Sequence, residues 1–169
     1  AQKAARVLEK PAYLILDAYF ATGPVFNAAR GEMLASQPLL HILTRAKRNV
    51  VAYQPPPPRR RRPFRGRPKM YGKKNHLFKL FESASKDFQT VSTNVYGQTT
   101  QIRYLVRDLI WKPAQGMIRF ILIESPRGRI VLMTSDLLLE PLIALELYCR
   151  RATIETMFNI LKNVLGGLA

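Results

Sequence analysis

A single cysteine, Cys149, and two histidines, His41 and His76, are all the thiol and imidazole ligands in these 169 residues. One thiol cannot close an internal disulfide, and three such side chains are too few for a structural zinc. The count fits a reducing, cytoplasmic setting. Long hydrophobic runs are also lacking: the stretch from Leu137 to Cys149 is broken by Glu140 and Glu146, short of the roughly 18 residues a membrane helix needs. No membrane partner is expected. Acids are scarce too, with 11 Asp and Glu against 27 Lys and Arg, for a formal net charge of +16.

The excess of base is concentrated. Between Met33 and Phe81 there are 13 Lys and Arg and no acid, whereas the rest of the chain holds 14 bases against all 11 acids. A near-neutral body with one intensely basic segment is the charge pattern of a polyanion-binding surface. An apolar fraction of 47% is enough for a real core in one domain of ordinary size, which excludes global disorder.

Residues 1–9 read as the end of a helix (Ala4, Ala5, Val7, Leu8) stopped at Lys10-Pro11, because proline disfavours a helical residue before it. The apolar block Tyr13-Leu14-Ile15-Leu16, ending at Asp17, predicts a strand buried on both faces of an α/β sheet. Thr22-Gly23-Pro24 predicts the N-cap and first-turn proline of a helix reaching about Ser36. Leu39 to Tyr53 predicts one or two strands interrupted by the charged residues 45–49. Pro55 to Pro58 followed by Arg59 to Arg62 predicts an extended, exposed basic linker, since proline fixes an open backbone and adjacent arginines repel. Strands are expected at Val91 to Val95, Gln101 to Val106, Met117 to Glu124 and Ile130 to Thr134, the last two joined by the turn Ser125-Pro126-Arg127-Gly128. A last helix, from about Leu137 to Leu165 and bent at Pro141, should end at Gly166-Gly167.

On that helix Tyr148, Arg151, Glu155 and Lys162 fall at offsets of 0, 3, 7 and 14 residues. A helical wheel gathers them within an arc of about 60°. They lie beside the apolar stripe Ile154, Phe158, Leu161 and Leu165, which puts the polar four at the edge of the buried face, where a helix lines a cleft. The same spacing also fits a plain amphipathic helix whose Arg151 and Glu155 form an i,i+4 pair worth about 0.3 kcal/mol.

The pattern Tyr148-x2-Arg151-x3-Glu155-x6-Lys162 resembles the Y-R-E-K signature of the DDE-type insertion-sequence transposases, in which the Glu is the third metal-binding carboxylate. With this chain's 7 Tyr, 17 Arg, 7 Glu and 10 Lys, chance would produce it about once in 600 chains of this length, so the pattern favours the family over the plain helix. Asp17, in Leu14-Ile15-Leu16-Asp17-Ala18-Tyr19-Phe20, is similar to the family's second catalytic aspartate, which ends a strand and precedes an aromatic. Leu43-Thr44-Arg45 through Asn49-Val50-Val51, then Gly66-Arg67-Pro68-Lys69 and Tyr71-Gly72, resemble its basic segment. Ala152 departs from the pattern, because relatives commonly carry Trp after the motif arginine.

The resemblance implies an α/β fold built on a partial ribonuclease-H-like catalytic core. Residues 1–54 would carry the second Asp, 55–69 a Pro/Arg-rich basic linker, 70–135 a β-rich insertion, and 136–169 the C-terminal catalytic helix. It implies Mg²⁺ or Mn²⁺ held by Asp17 and Glu155, since hard divalent ions take carboxylate oxygens. It implies that Tyr148, Arg151 and Lys162 contact DNA phosphates near the scissile bond. Arg45, Lys47, Arg48, Arg59, Arg60, Arg61, Arg62, Arg65, Arg67, Lys69, Lys73 and Lys74 would follow the backbone of double-stranded DNA at transposon ends, without reading its sequence. Taken alone, Asp17 reads as a turn or cap residue and the arginine run as a solvated linker.

The family uses three carboxylates, the first Asp lying on a strand well before the second. Residues 1–16 contain no Asp, and Asp87, Asp108 and Asp136 all lie downstream. The expectation is a truncated or partial transposase, lacking an N-terminal part or paired as a homodimer, that binds DNA at the nucleoid. Its intact form would perform metal-dependent phosphodiester cleavage and strand transfer. The alternative is a non-catalytic basic nucleic-acid-binding protein, with the Glu155 stripe as mere helix surface.

Overall fold

A computed structural model describes residues 3, 6, 7, 10–31, 33, 34, 37–58, 69–95 and 98–151. Its centre is an eight-stranded mixed sheet. Strand β1 (Ala12–Leu16) pairs in parallel with β4 (Leu40–Arg45), and helix α1 (Gly23–Arg30) crosses between them. The remaining pairings are antiparallel: β4 with β10 (Gly128–Thr134), β10 with β9 (Gly116–Ser125), and β9 with the 14-residue β8 (Gln98–Trp111). One end of β8 carries β7 (Gln89–Val95), and the other meets β5 (Val51–Tyr53), which pairs with β6 (Lys74–His76). A small ribbon, β2 (Met33–Leu34) with β3 (Gln37–Pro38), stands apart. The fold is therefore mixed α/β, and strands from both sides of the Pro/Arg segment share one sheet.

The continuous apolar runs follow from burial of the sheet on both faces. Ile118, Phe120, Leu122, Val131 and Met133 point into one cluster with Phe26 of α1. Their neighbours Ile121, Ile123 and Leu132 point into another with Ala144 and Leu145 of the helical residues 141–151, here α3. Strand β1 lies at the end of the sheet, so its residues are half-buried and not buried on both faces as its sequence predicts.

Two helix expectations are corrected. Helix α1 starts where Thr22-Gly23-Pro24 places it but closes at Gly31, whose N–H bonds the Ala28 carbonyl, instead of running to Ser36. The chain must turn back there to enter β4, and tertiary demand overrides the helix propensity of Met33-Leu34-Ala35. At α3, Pro141 is the first helical residue and not a bend. Proline is well suited to that position, because the N–H it lacks would have no intrahelical acceptor. The helical turns at 77–87, including α2 (Leu80–Ser83), are unforeseen in the sequence reading.

Close approaches fix α1. A Cβ on Gly23 would collide with the Pro113 carbonyl oxygen, so only glycine fits against the turn at Lys112–Ala114. At the other end of α1, Arg30 donates to the carbonyls of Ala114 (2.5 Å) and Met117 (3.0 Å). The β9–β10 turn uses Gly128 at φ +123°, a backbone state that side chains disfavour.

Candidate active site and basic groove

Asp17 directly follows Leu16, the last residue of β1 and the partner of the buried Thr44 of β4, whose hydroxyl donates to the Asp17 carbonyl at 2.8 Å. Its Oδ1 accepts the Ala18 N–H at 2.5 Å, so the carboxylate does cap the short turn Ala18–Phe20, as the plain reading of the residue has it. The side chain nevertheless remains 52% exposed, which leaves it open to a ligand. Tyr19 and Phe20 follow as an exposed edge-to-face pair, 5.4 Å between ring centres.

Helix α3 carries two of the four motif residues to this point. Nη2 of Arg151, largely buried, lies 3.6 Å from Asp17 Oδ1, and the same guanidinium lies 5.9 Å from the centre of the Tyr148 ring. The structure thus joins residues 131 and more positions apart in sequence: the strand-end carboxylate and the Tyr-Arg half of the signature. Glu155 and Lys162 lie outside the described residues.

The start of α3 is anchored by a polar cluster. Asp136 accepts the Leu138 N–H at 2.8 Å, and it also accepts the hydroxyl of Tyr13, whose ring stacks on His41 at 5.4 Å. Burial, helped by the hydrogen bond and charge of Asp136, pushes the Tyr13 phenol up. Burial alone would raise the Asp136 carboxyl, but the Tyr13 hydroxyl and the Leu138 N–H outweigh it and hold it below the usual carboxylate range. Arg119 adds a second tie, forked onto Asp108 by two 2.8 Å bonds and reaching the Leu139 carbonyl at 3.2 Å. Asp87 pairs with Arg107 at 2.5 Å. Every downstream Asp is therefore engaged in a structural contact of its own.

The basic residues divide in three. Arg45, Lys47 and Arg48, at the β4–β5 turn, line an open groove of about 820 Å³ that begins at Ala18, next to Asp17. Lys69, Lys73 and Lys74 are exposed at the foot of the Pro/Arg segment, which leaves the sheet at β5 and returns at β6. That foot is closed by backbone bonds from Gln54 to Lys73 (2.9 Å) and from Gly72 to Gln54 (2.8 Å). Above it, Lys112 sits over both Tyr53 and Tyr71, at 4.4 and 4.7 Å. Arg59, Arg60, Arg61, Arg62, Arg65 and Arg67 lie outside the described residues. The sequence reading missed Lys79 and Arg129 as groove residues. Lys79 closes the acid-free basic run, but Arg129 sits in the β-rich part and only the hairpin register brings it there.

Among the described residues no three His, Cys, Asp or Glu side chains cluster as metal ligands do. Asp17 does fit a hard cation in kind, being an open carboxylate at a strand end. A strand-end carboxylate thus has a helix arginine against it and a basic groove beside it in a mixed α/β fold. The family model for the transposase DDE domain matches residues 2–169, and the chain belongs to that family. Neither the curated proteins nor the solved structures give a match. No helix among the described residues is long and apolar enough to cross a membrane.

Proposed function

We propose that this chain is the part of an insertion-sequence transposase that carries the second Asp and the catalytic Glu, and that it binds duplex DNA at transposon ends. The observation that carries the proposal is the meeting of Arg151 with Asp17 across the sheet. The parallel pair β1 and β4, joined by α1, supports a ribonuclease-H-like core at that end of the sheet. Asp17 and Glu155 would hold Mg²⁺ or Mn²⁺, with Glu155 four residues beyond Arg151 in sequence. Bound there, the ions would supply Lewis-acid activation of the attacking and leaving oxygens of a phosphodiester. Arg151, 3.6 Å from one Asp17 oxygen, orients the carboxylate and offers its fork to a phosphate. Tyr148 supports that guanidinium through its ring face. Lys162 would add a point charge further along the chain.

Phosphodiester cleavage of this type uses a third carboxylate, and Asp87, Asp108 and Asp136 are held in other contacts. The 169-residue chain by itself is therefore expected to bind duplex DNA without cutting it. A nicking assay on supercoiled DNA with Mg²⁺, run beside a binding measurement, tests this. Efficient nicking that disappears in Glu155→Ala would mean that another carboxylate completes the site. Failure to bind duplex DNA would reject the proposal.

A further inference from the structure

The groove beside Asp17 is built from four separate segments. Arg45 ends β4, Lys47 and Arg48 belong to the following turn, Lys79 to the helical turns after β6, and Arg129 is the second residue of β10. Five cations thus face one groove carboxylate, Glu82. Arg45, Lys47 and Lys79 form no ion pair among the described residues, so their charges face solvent unopposed. The other two arginines lie against rings: Arg48 lies 5.9 Å from the centre of Phe78, and Arg129 lies 5.3 Å from that of Phe81. Arg129 is also tied to Glu124 at 2.7 Å and, more loosely, to the exposed Glu82 at 3.7 Å.

Such spacing of fixed cations along an open groove suits a ligand with repeated negative charge. A small anion would need an enclosed site. We propose that this groove carries the phosphodiester backbone of one DNA strand to Asp17, with Lys79 and Arg129 as phosphate ligands and Glu82 as the carboxylate that a phosphate displaces from Arg129. The proposal rests on the DNA-binding reading above and adds to it a defined path and two residues from outside the family resemblance. The loose, exposed Glu82 contact yields easily, because such a pair has little net energy in water. The shorter Glu124 contact keeps Arg129 aimed.

The test is the salt dependence of binding to a 20-base-pair duplex, followed by fluorescence anisotropy. For every phosphate that the protein ceases to neutralise, the slope of log K against log salt should fall by about 1. Lys79→Ala is expected to lower it by about 1 and Lys79→Ala with Arg129→Ala by about 2, whereas Lys10→Ala, at the far end of β1 from Asp17, leaves it nearly unchanged. Glu82→Gln should tighten binding about two- to threefold at low salt. Lys79 is exposed, so its variant tests the groove even if loss of Arg129 disturbs the hairpin. A wild-type slope in both Lys79→Ala and the double variant, with duplex still bound, would overturn the groove and leave the functional reading standing. Absence of duplex binding by the wild type would overturn both. An acidic polypeptide that loses affinity in Lys79→Ala while DNA does not would assign the groove to another partner and overturn the proposal.

Discussion

The antiparallel strands β8–β10 and the strand-end region around Asp17 use charge in opposite ways. In the first, acids and bases are matched at short range: Arg103 with Glu124 at 2.9 Å, Arg119 with Asp108 at 2.8 Å, Arg129 with Glu124 at 2.7 Å. In the second, a half-exposed carboxylate has one cation at 3.6 Å, and in the adjoining groove Arg45, Lys47 and Lys79 form no ion pair among the described residues. The difference teaches where structure ends and function begins. Arg103 and Arg119 are taken up in locking strands together, whereas Arg45, Lys47 and Lys79 stay open to a ligand; Arg129 belongs to both regions, tied to Glu124 and facing the groove.

The largest break in this contrast should come from the core under the antiparallel strands. Phe120→Ala removes a fully buried ring from the centre of β9 and should cost about 3–5 kcal/mol in denaturant unfolding. Arg119→Ala comes next. It strands Asp108 and frees the Leu139 carbonyl ahead of α3, for an expected loss of about 1–3 kcal/mol by the same measurement.

Tyr13→Phe sharpens the comparison through pH. Asp136 is held below its ordinary 3.8, so its stabilisation is complete above that value and is lost as pH falls through the lower, folded one. Wild-type stability should therefore fall below about pH 4, and Tyr13→Phe should flatten that acid limb while costing about 1–2 kcal/mol near neutrality. The smallest effect is expected at Asp17. Asp17→Asn keeps an acceptor for the Ala18 N–H and should change stability by no more than about 0.5 kcal/mol, where loss of a locked pair such as Arg119–Asp108 costs more.

Much of the sheet was legible because its strands are buried on both faces and therefore read as unbroken apolar runs, as at Phe120 to Ile123 and Ile130 to Met133. The end of α1 was not, since Gly31 stops a stretch whose next residues favour a helix. The turns at 77–87 did leave a signal, the buried Leu77 and Phe81 four residues apart, which the surrounding basic charge obscured. At the site, the spacing of Tyr148 and Arg151 was visible in the chain, but their approach to Asp17 depends on how α3 lies across the sheet. Arg129 was hidden for a related reason: a hairpin register, not a motif, delivers it to the groove.

The central proposal is that Asp17 and Glu155 together hold one divalent metal site facing DNA. Titration of the 169-residue chain with Mn²⁺, followed by the loss of the free-ion electron paramagnetic resonance signal, tests it most directly. The account predicts weak but saturable binding that falls about tenfold or more in Asp17→Asn and, separately, in Glu155→Gln, while Asp87→Asn binds as the wild type does. Mn²⁺ binding indifferent to both Asp17→Asn and Glu155→Gln would contradict it and leave a basic DNA-binding protein without a metal site.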